Sequence, residues 1–118
     1  MTYNFTGQDV VSTVRDIANE YPEFVYEAPS ELGGQCLYAH SSENGYTPGC
    51  LMGQALYRLG VDLSALQPYE GEGIEEVLEH LNISSDSDSR LWLSEVQTAQ
   101  DESVPWGLAV NPVDSEFA

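Results

Sequence analysis

The stretch Pro48-Gly49-Cys50-Leu51-Met52-Gly53-Gln54-Ala55-Leu56-Tyr57-Arg58-Leu59-Gly60 decides the fold. Pro48-Gly49 opens a helix running from Cys50 to Leu59, and Gly60 closes it, glycine being the common residue just past a helix end. Leu51, Met52, Ala55, Leu56 and Leu59 form one broad apolar face. Cys50, Gly53 and Tyr57 line up on roughly the opposite side. A helix that is apolar on two sides is sandwiched between neighbours, so this segment is expected at the centre of the molecule. Gly53 offers room for a second backbone to approach, and a neighbouring hairpin is the expected visitor.

Working outward, the N-terminal segment has a well-specified helix start. Thr6 is a good N-cap, Asp9 approximates its capping-box partner, and Phe5 and Val10 have hydrophobic-staple spacing. Val10, Val14, Ile17, Ala18 and Tyr21 then share one face, and Pro22 ends the helix. Two short aromatic runs, Phe24-Val25-Tyr26 and Cys36 to His40, flank Gly33-Gly34 and predict a hairpin near 24–40. Ser41 to Thr47 reads as a polar loop. Beyond Gly60, Asp62 caps a short turn through Leu63 and Leu66. The acidic connector Glu70-Gly71-Glu72-Gly73 leads into a third helix, whose Ile74, Val77, Leu78 and Leu81 give the cleanest amphipathic pattern in the chain. Ser84 to Ser89 supplies caps for a fourth helix, Arg90 to about Gln100, with Trp92, Leu93, Val96 and Ala99 on its buried side. Pro105-Trp106 begins a short last element including Leu108, Ala109 and Val110, and the chain from Asn111 onward is expected to be loose. The fold class is therefore mostly α (α+β): about four helices around a central helix 50–59, with a small β-hairpin near 24–40. Residues 1–112 are expected as one compact domain and 113–118 as a flexible tail.

The 118 residues suit one domain, and 42% hydrophobic content can fill one core despite a net charge of −17. Arg15, Arg58 and Arg90 face twenty acids, and there is no lysine. The first 59 residues hold seven acids and two arginines; the remainder holds thirteen acids and one arginine. Such a surface repels nucleic acid and anionic membranes and attracts basic proteins. Direct nucleic-acid binding and membrane association are accordingly excluded as expected functions. The first residues show no basic start before an apolar run, and no window approaches the roughly 18 apolar residues of a membrane span. A soluble, cytoplasmic protein is expected, with Cys36 and Cys50 as reduced thiols.

Candidate chemistry is sparse. Cys50 lies at a helix start, where the dipole favours thiolate, and His40 stands ten residues upstream. Together they are a minimal arrangement for covalent catalysis, against which stands the plainer reading of a packed thiol. Cys36, His40 and Cys50, with distant His80, fall short of the paired ligand spacings of structural zinc, so no metal or cofactor is expected. Aligning a calcium loop on Asp86 puts Leu91 at the required glycine and Gln97 at the required glutamate, so Asp86-Ser87-Asp88 reads as helix capping. No phosphate-binding loop, nucleophile elbow or dinucleotide fingerprint occurs, and catalysis is the weaker expectation. Charge is the stronger feature. Glu72 and Glu76, and Glu75 and Glu79, are i, i+4 neighbours roughly 6 Å apart, a spacing at which like charges cost helix stability. With Glu70, Asp86, Asp88, Glu95, Asp101 and Glu102 they form a candidate anionic binding surface. Its rival is a solvated exterior that only confers solubility.

From Cys36 through Val110 the sequence resembles a group of small uncharacterised proteins of actinobacteriophages and their actinobacterial hosts. The resemblance is carried by Cys36-x-Tyr38, by residues 48–60, and by Trp92-Leu93 with Val96-Gln97, Gln100-Asp101 and Pro105-Trp106-Gly107-x-Ala109-Val110. It implies a phage or prophage origin and no particular reaction. Gln97, Gln100 and Asp101 are read as a buried hydrogen-bond network anchoring the last segment, with a binding surface as the alternative. The expected function is a non-catalytic interaction protein whose acidic surface binds a basic or nucleic-acid-binding host protein, in one version as a DNA mimic. A small enzyme or ligand-binding protein using Cys50 and His40 is the alternative.

Overall fold

The computed structural model describes residues 3–26, 37–43 and 45–117. The elements are α1 (Gly7–Glu20), β1 (Ala39–Ser42), β2 (Gly45–Pro48), α2 (Leu51–Arg58), a 3₁₀ helix (Leu63–Tyr69), α3 (Ile74–His80), α4 (Ser87–Asp101) and α5 (Trp106–Phe117). The class is mostly helical with one small antiparallel pair of strands, as the sequence predicts.

The α1 start follows its local code. Thr6 Oγ1 accepts from Asp9 N, and the Asp9 carboxylate accepts from Thr6 N at 2.8 Å, completing the capping box. Val10, Val14, Ile17 and Ala18 are buried, whereas Tyr21 is exposed. The central helix is α2, packed against α1, α4 and β2. Leu51, Met52, Ala55 and Leu56 are wholly excluded from solvent. Gly53 is required there: a Cβ would overlap the carbonyl of Tyr38, which lies just before β1. The helix ends at Gly60, whose φ of +100° places it in the left-handed region.

The hairpin lies further along the chain than expected. Ala39 pairs with Pro48, and Ser42 with Gly45, so most of β2 and half of β1 fall within the segment that reads as a polar loop. Gly49 N donates to Tyr38 O at 3.0 Å and Cys50 N to Leu37 O at 2.9 Å, carrying the hydrogen-bonded contact to the start of α2. Residues 24–26 form no strand. The Phe24 carbonyl accepts from Trp106 N, the Pro22 carbonyl accepts from Gly107 N, and the Phe24 ring packs 4.5 Å from that of Trp106. These carbonyls satisfy amides at the start of α5 that have no partner within the helix. Of the second predicted run, Cys36 to His40, Ala39 and His40 do lie in β1, whereas Gly33-Gly34 and Cys36 lie outside the described residues.

Helix α4 begins at Ser87 rather than Arg90 because Asp86 accepts from Ser89 N at 2.9 Å as its N-cap. Trp92, Leu93 and Val96 form its buried stripe. Among the described residues, α5 makes five α-helices rather than about four, and it continues through Pro112 to Phe117, over residues expected to be loose. The continuation is tertiary in origin. Val113 is buried, and Asp114 Oδ1 accepts from Trp92 Nε1 at 2.7 Å and Arg15 Nε at 2.8 Å, joining α5 to α4 and α1.

Candidate functional site

The structure separates the acids placed elsewhere in the fold from those along the α3–α4 seam. Glu70 belongs to the first group. Its carboxylate turns inward and accepts from Tyr38 N at 2.8 Å and Ala39 N at 3.1 Å, strapping the start of β1. Burial pushes its pKa up, partly offset by those two amides. Asp86 caps α4 and also accepts from Gln8 Nε2, and its serine hydrogen bonds hold its pKa down. Asp88 lies in the first turn of α4, where a helix dipole favours an anion. Glu70, Asp86 and Asp88 therefore each have a role in folding, and Glu70 is partly withdrawn from the surface.

The second group faces the seam between α3 and α4. Three adjoining hollows run along it. The first, about 210 Å³, is lined by Glu72, Glu75, Ser94, Gln97, Thr98 and Asp101 with Gly71 and Gly73. The next, about 350 Å³, is lined by Glu75, Glu76, Glu79, Arg90, Leu91 and Ser94. The third, about 280 Å³, shares Glu75, Glu79 and Arg90 and continues onto Asn82 to Ser85. Glu75 borders all three, and Arg90 is the one cation among the lining residues. Five of the ten candidate acids thus converge: Glu72, Glu75, Glu76, Glu79 and Asp101.

Local structure rewards these five unevenly. Glu72 Oε1 pairs with His80 Nε2 at 2.9 Å, and the His80 ring stacks on Tyr69. A hydrogen bond that protonated Glu76 can donate to Glu72, with the charges of Glu72 and Glu75, pushes Glu76 upward in pKa. Glu75 is better placed, in the first turn of α3, yet its Oε2 is buried without a hydrogen-bond partner. Glu79 and Asp101 stand in the last turns of α3 and α4, where the dipole disfavours an anion. Burial of the Asp101 carboxyl pushes its pKa up to about 6, against a lowering hydrogen bond from Gln100, although the residue as a whole is exposed. Glu95 is partly buried on α4 and Glu102 is exposed at its C-cap.

Beneath this seam lies a polar network that fixes its walls. Gln97 Oε1 accepts from Ile74 N at 2.8 Å, Gln97 Nε2 donates to Tyr38 Oη at 2.8 Å, and Tyr38 Oη donates to the Glu72 carbonyl. Gln100 Oε1 accepts from Leu51 N at 2.8 Å, and its Nε2 donates to Asp101 Oδ1. Both glutamines are buried. They hold the N-termini of α3 and α2, rather than the last segment as the sequence suggests.

The cysteine–histidine arrangement is corrected. Cys50 is wholly buried and disulfide-bonded, so it offers no thiolate. The expectation of a reduced thiol fails with it; Cys36, the other cysteine, lies outside the described residues. His40 Nε2 is hydrogen-bonded to Tyr26 Oη at 2.9 Å, and Tyr26 Oη also accepts from Leu37 N. Among the described residues, no group of three or more His, Cys, Asp or Glu side chains is arranged to hold a metal ion.

Sequence reading missed the inward turn of Glu70 and the roles of Tyr38 and Asp114, since each depends on a partner more than 20 residues away. Comparison with known proteins adds no relative: no protein family, no curated protein and no solved structure matches the chain. Among the described residues no helix is long and apolar enough to cross a membrane.

Proposed function

We propose that this protein is a non-catalytic interaction protein that captures a basic partner on the acid-lined seam between α3 and α4. The observation carrying the reading is the convergence of Glu72, Glu75, Glu76, Glu79 and Asp101 on three adjoining hollows with one arginine among them. Like charges at helical spacing oppose folding, and a basic partner relieves that repulsion when it binds. Leu91, exposed within the central hollow, adds an apolar contact at its middle. In the narrower, phage-type version the partner is a nucleic-acid-binding host protein and the carboxylates stand in for phosphates. Action in the host cytoplasm belongs to that version, and the Cys50 disulfide weighs against it because reducing compartments keep thiols reduced.

The test is affinity purification from host lysate at two salt concentrations, with duplex DNA as competitor. A partner lost at higher salt and displaced by DNA supports the mimic version. A partner held equally at both salts removes it, because charge attraction is screened over about 8–10 Å at 0.1–0.15 M salt.

A further inference from the structure

A second surface, away from the α3–α4 seam, carries chemistry of its own. Tyr46 on β2 and Tyr57 near the end of α2 are both large, exposed aromatics, 41% and 54% accessible. They line one hollow of about 390 Å³ together with Gly60, Val61, Asp62 and Leu63. Val61 and Leu63, both buried, contribute apolar lining. Asp62 is an anion held in place: its Oδ1 accepts from Ser64 N at 3.0 Å and from Ser64 Oγ at 2.8 Å as the cap of the 3₁₀ helix. Gly60 adds no side chain to the rim, and a Cβ there would meet only open space.

Among the described residues no cation lines this hollow. Arg15 is paired with Asp114, Arg58 with Glu20, and Arg90 lines the α3–α4 seam. Two tyrosines and a fixed carboxylate lining one hollow are elements that can recognise an organic cation, since aromatic rings attract cationic groups and the carboxylate accepts their N–H donors. Arginine fits better than lysine because its planar guanidinium can stack on a ring while donating to an acid. We propose that Tyr46, Tyr57 and Asp62 form a receptor for a single arginine side chain presented by a protein partner.

Acetyl-arginine amide is the probe, followed by NMR of the tyrosine rings at 0.15 M salt, with acetyl-leucine amide as control. Saturable shifts at Tyr46 and Tyr57 with the arginine amide, and none with the leucine amide, are expected. Tyr57→Ala and Asp62→Asn should each weaken binding by about fivefold or more, the size of one such contact, while Tyr57→Phe retains it. Asparagine is a competent N-cap, so Asp62→Asn keeps the fold, as an unchanged spectrum elsewhere verifies. The combined variant Glu75→Gln, Glu76→Gln and Glu79→Gln should bind the arginine amide here as the natural sequence does, which separates this receptor from the α3–α4 reading. Absence of saturation, equal shifts with leucine amide, or wild-type affinity in Asp62→Asn overturns the proposal.

Discussion

Gln100 Oε1 accepts a hydrogen bond from Leu51 N at 2.8 Å, so a side chain of α4 caps the N-terminus of α2 from 49 positions away in sequence. The first amides of a helix have no partner within it, and Cys50 at the N-cap position makes no side-chain capping bond. Gln100→Ala therefore strands the Leu51 amide in the core. A loss of about 1–3 kcal/mol is expected, read as a lower urea midpoint with unchanged slope. Gln97→Ala should act similarly through Ile74 N. Unchanged stability in both would return these glutamines to a binding role.

Asp114 is the corresponding lock for α5. Its Oδ1 serves the indole N–H of Trp92, which is 1% exposed, and the guanidinium of Arg15. Asp114→Ala leaves the indole donor buried and should cost about 1–3 kcal/mol. Asp114→Asn keeps an acceptor for Trp92 and loses only the half-exposed ion pair, for which under about 1 kcal/mol is expected. Thermal denaturation of the two variants distinguishes a docked helix from a dispensable tail.

How much of this was legible beforehand depends on the range of the forces involved. The α1 cap, the α2 stop at Gly60 and the stripe of α3 were readable because each is specified within a few residues. The hairpin was displaced because Phe24 and Tyr26, though β-prone, make ring contacts with Trp106 and His40 and residues 24–26 join no strand ladder. The α5 helix outlasted the Asn111-Pro112 breaker because Val113 and Asp114 dock on distant elements. For the acidic residues, sequence spacing put Glu72, Glu75, Glu76 and Glu79 near one another, and they line adjoining hollows. Composition alone had no means to tell that Glu70 points inward to the Tyr38 and Ala39 amides.

Two glycines in the central region should respond differently to alanine. At Gly53 the new Cβ meets the Tyr38 backbone, which cannot yield without moving the hairpin. Gly53→Ala is expected to cost at least about 1–3 kcal/mol. At Gly60 there is open space, and only the positive φ opposes a side chain. Gly60→Ala should cost about 1 kcal/mol or slightly more. Equal losses would contradict the close approach at Gly53.

Asp101 makes the protein sensitive to acid in a defined direction. Its folded pKa is raised to about 6, above the unfolded value near 4. The folded state then binds more protons between about pH 4 and 6, so this residue's contribution to stability rises as pH falls through that window and is lost as pH rises. Asp101→Asn should melt higher than the natural sequence at pH 7 and show a smaller gain on acidification to pH 4.5. The reverse order at pH 7 would contradict the burial of this carboxyl.

The disulfide at Cys50 is checked by counting thiols. Protein purified without reductant and unfolded in guanidinium should show no reactive thiol, and the two cysteines of the chain should appear after reduction. Two thiols before reduction would restore the reduced state that the sequence suggests.

The central claim is that five carboxylates on one seam, rather than net charge spread over the surface, capture a basic partner. The most direct measurement titrates a fluorescent lysine-rich peptide at 0.05 and 0.2 M salt against two variants carrying equal charge changes. One removes Glu75, Glu76 and Glu79 as glutamines; the other changes Asp16→Asn, Glu23→Gln and Glu43→Gln, all exposed and elsewhere. Salt-sensitive binding that collapses in the first variant and persists in the second is the predicted result. Equal binding by the two variants would contradict it.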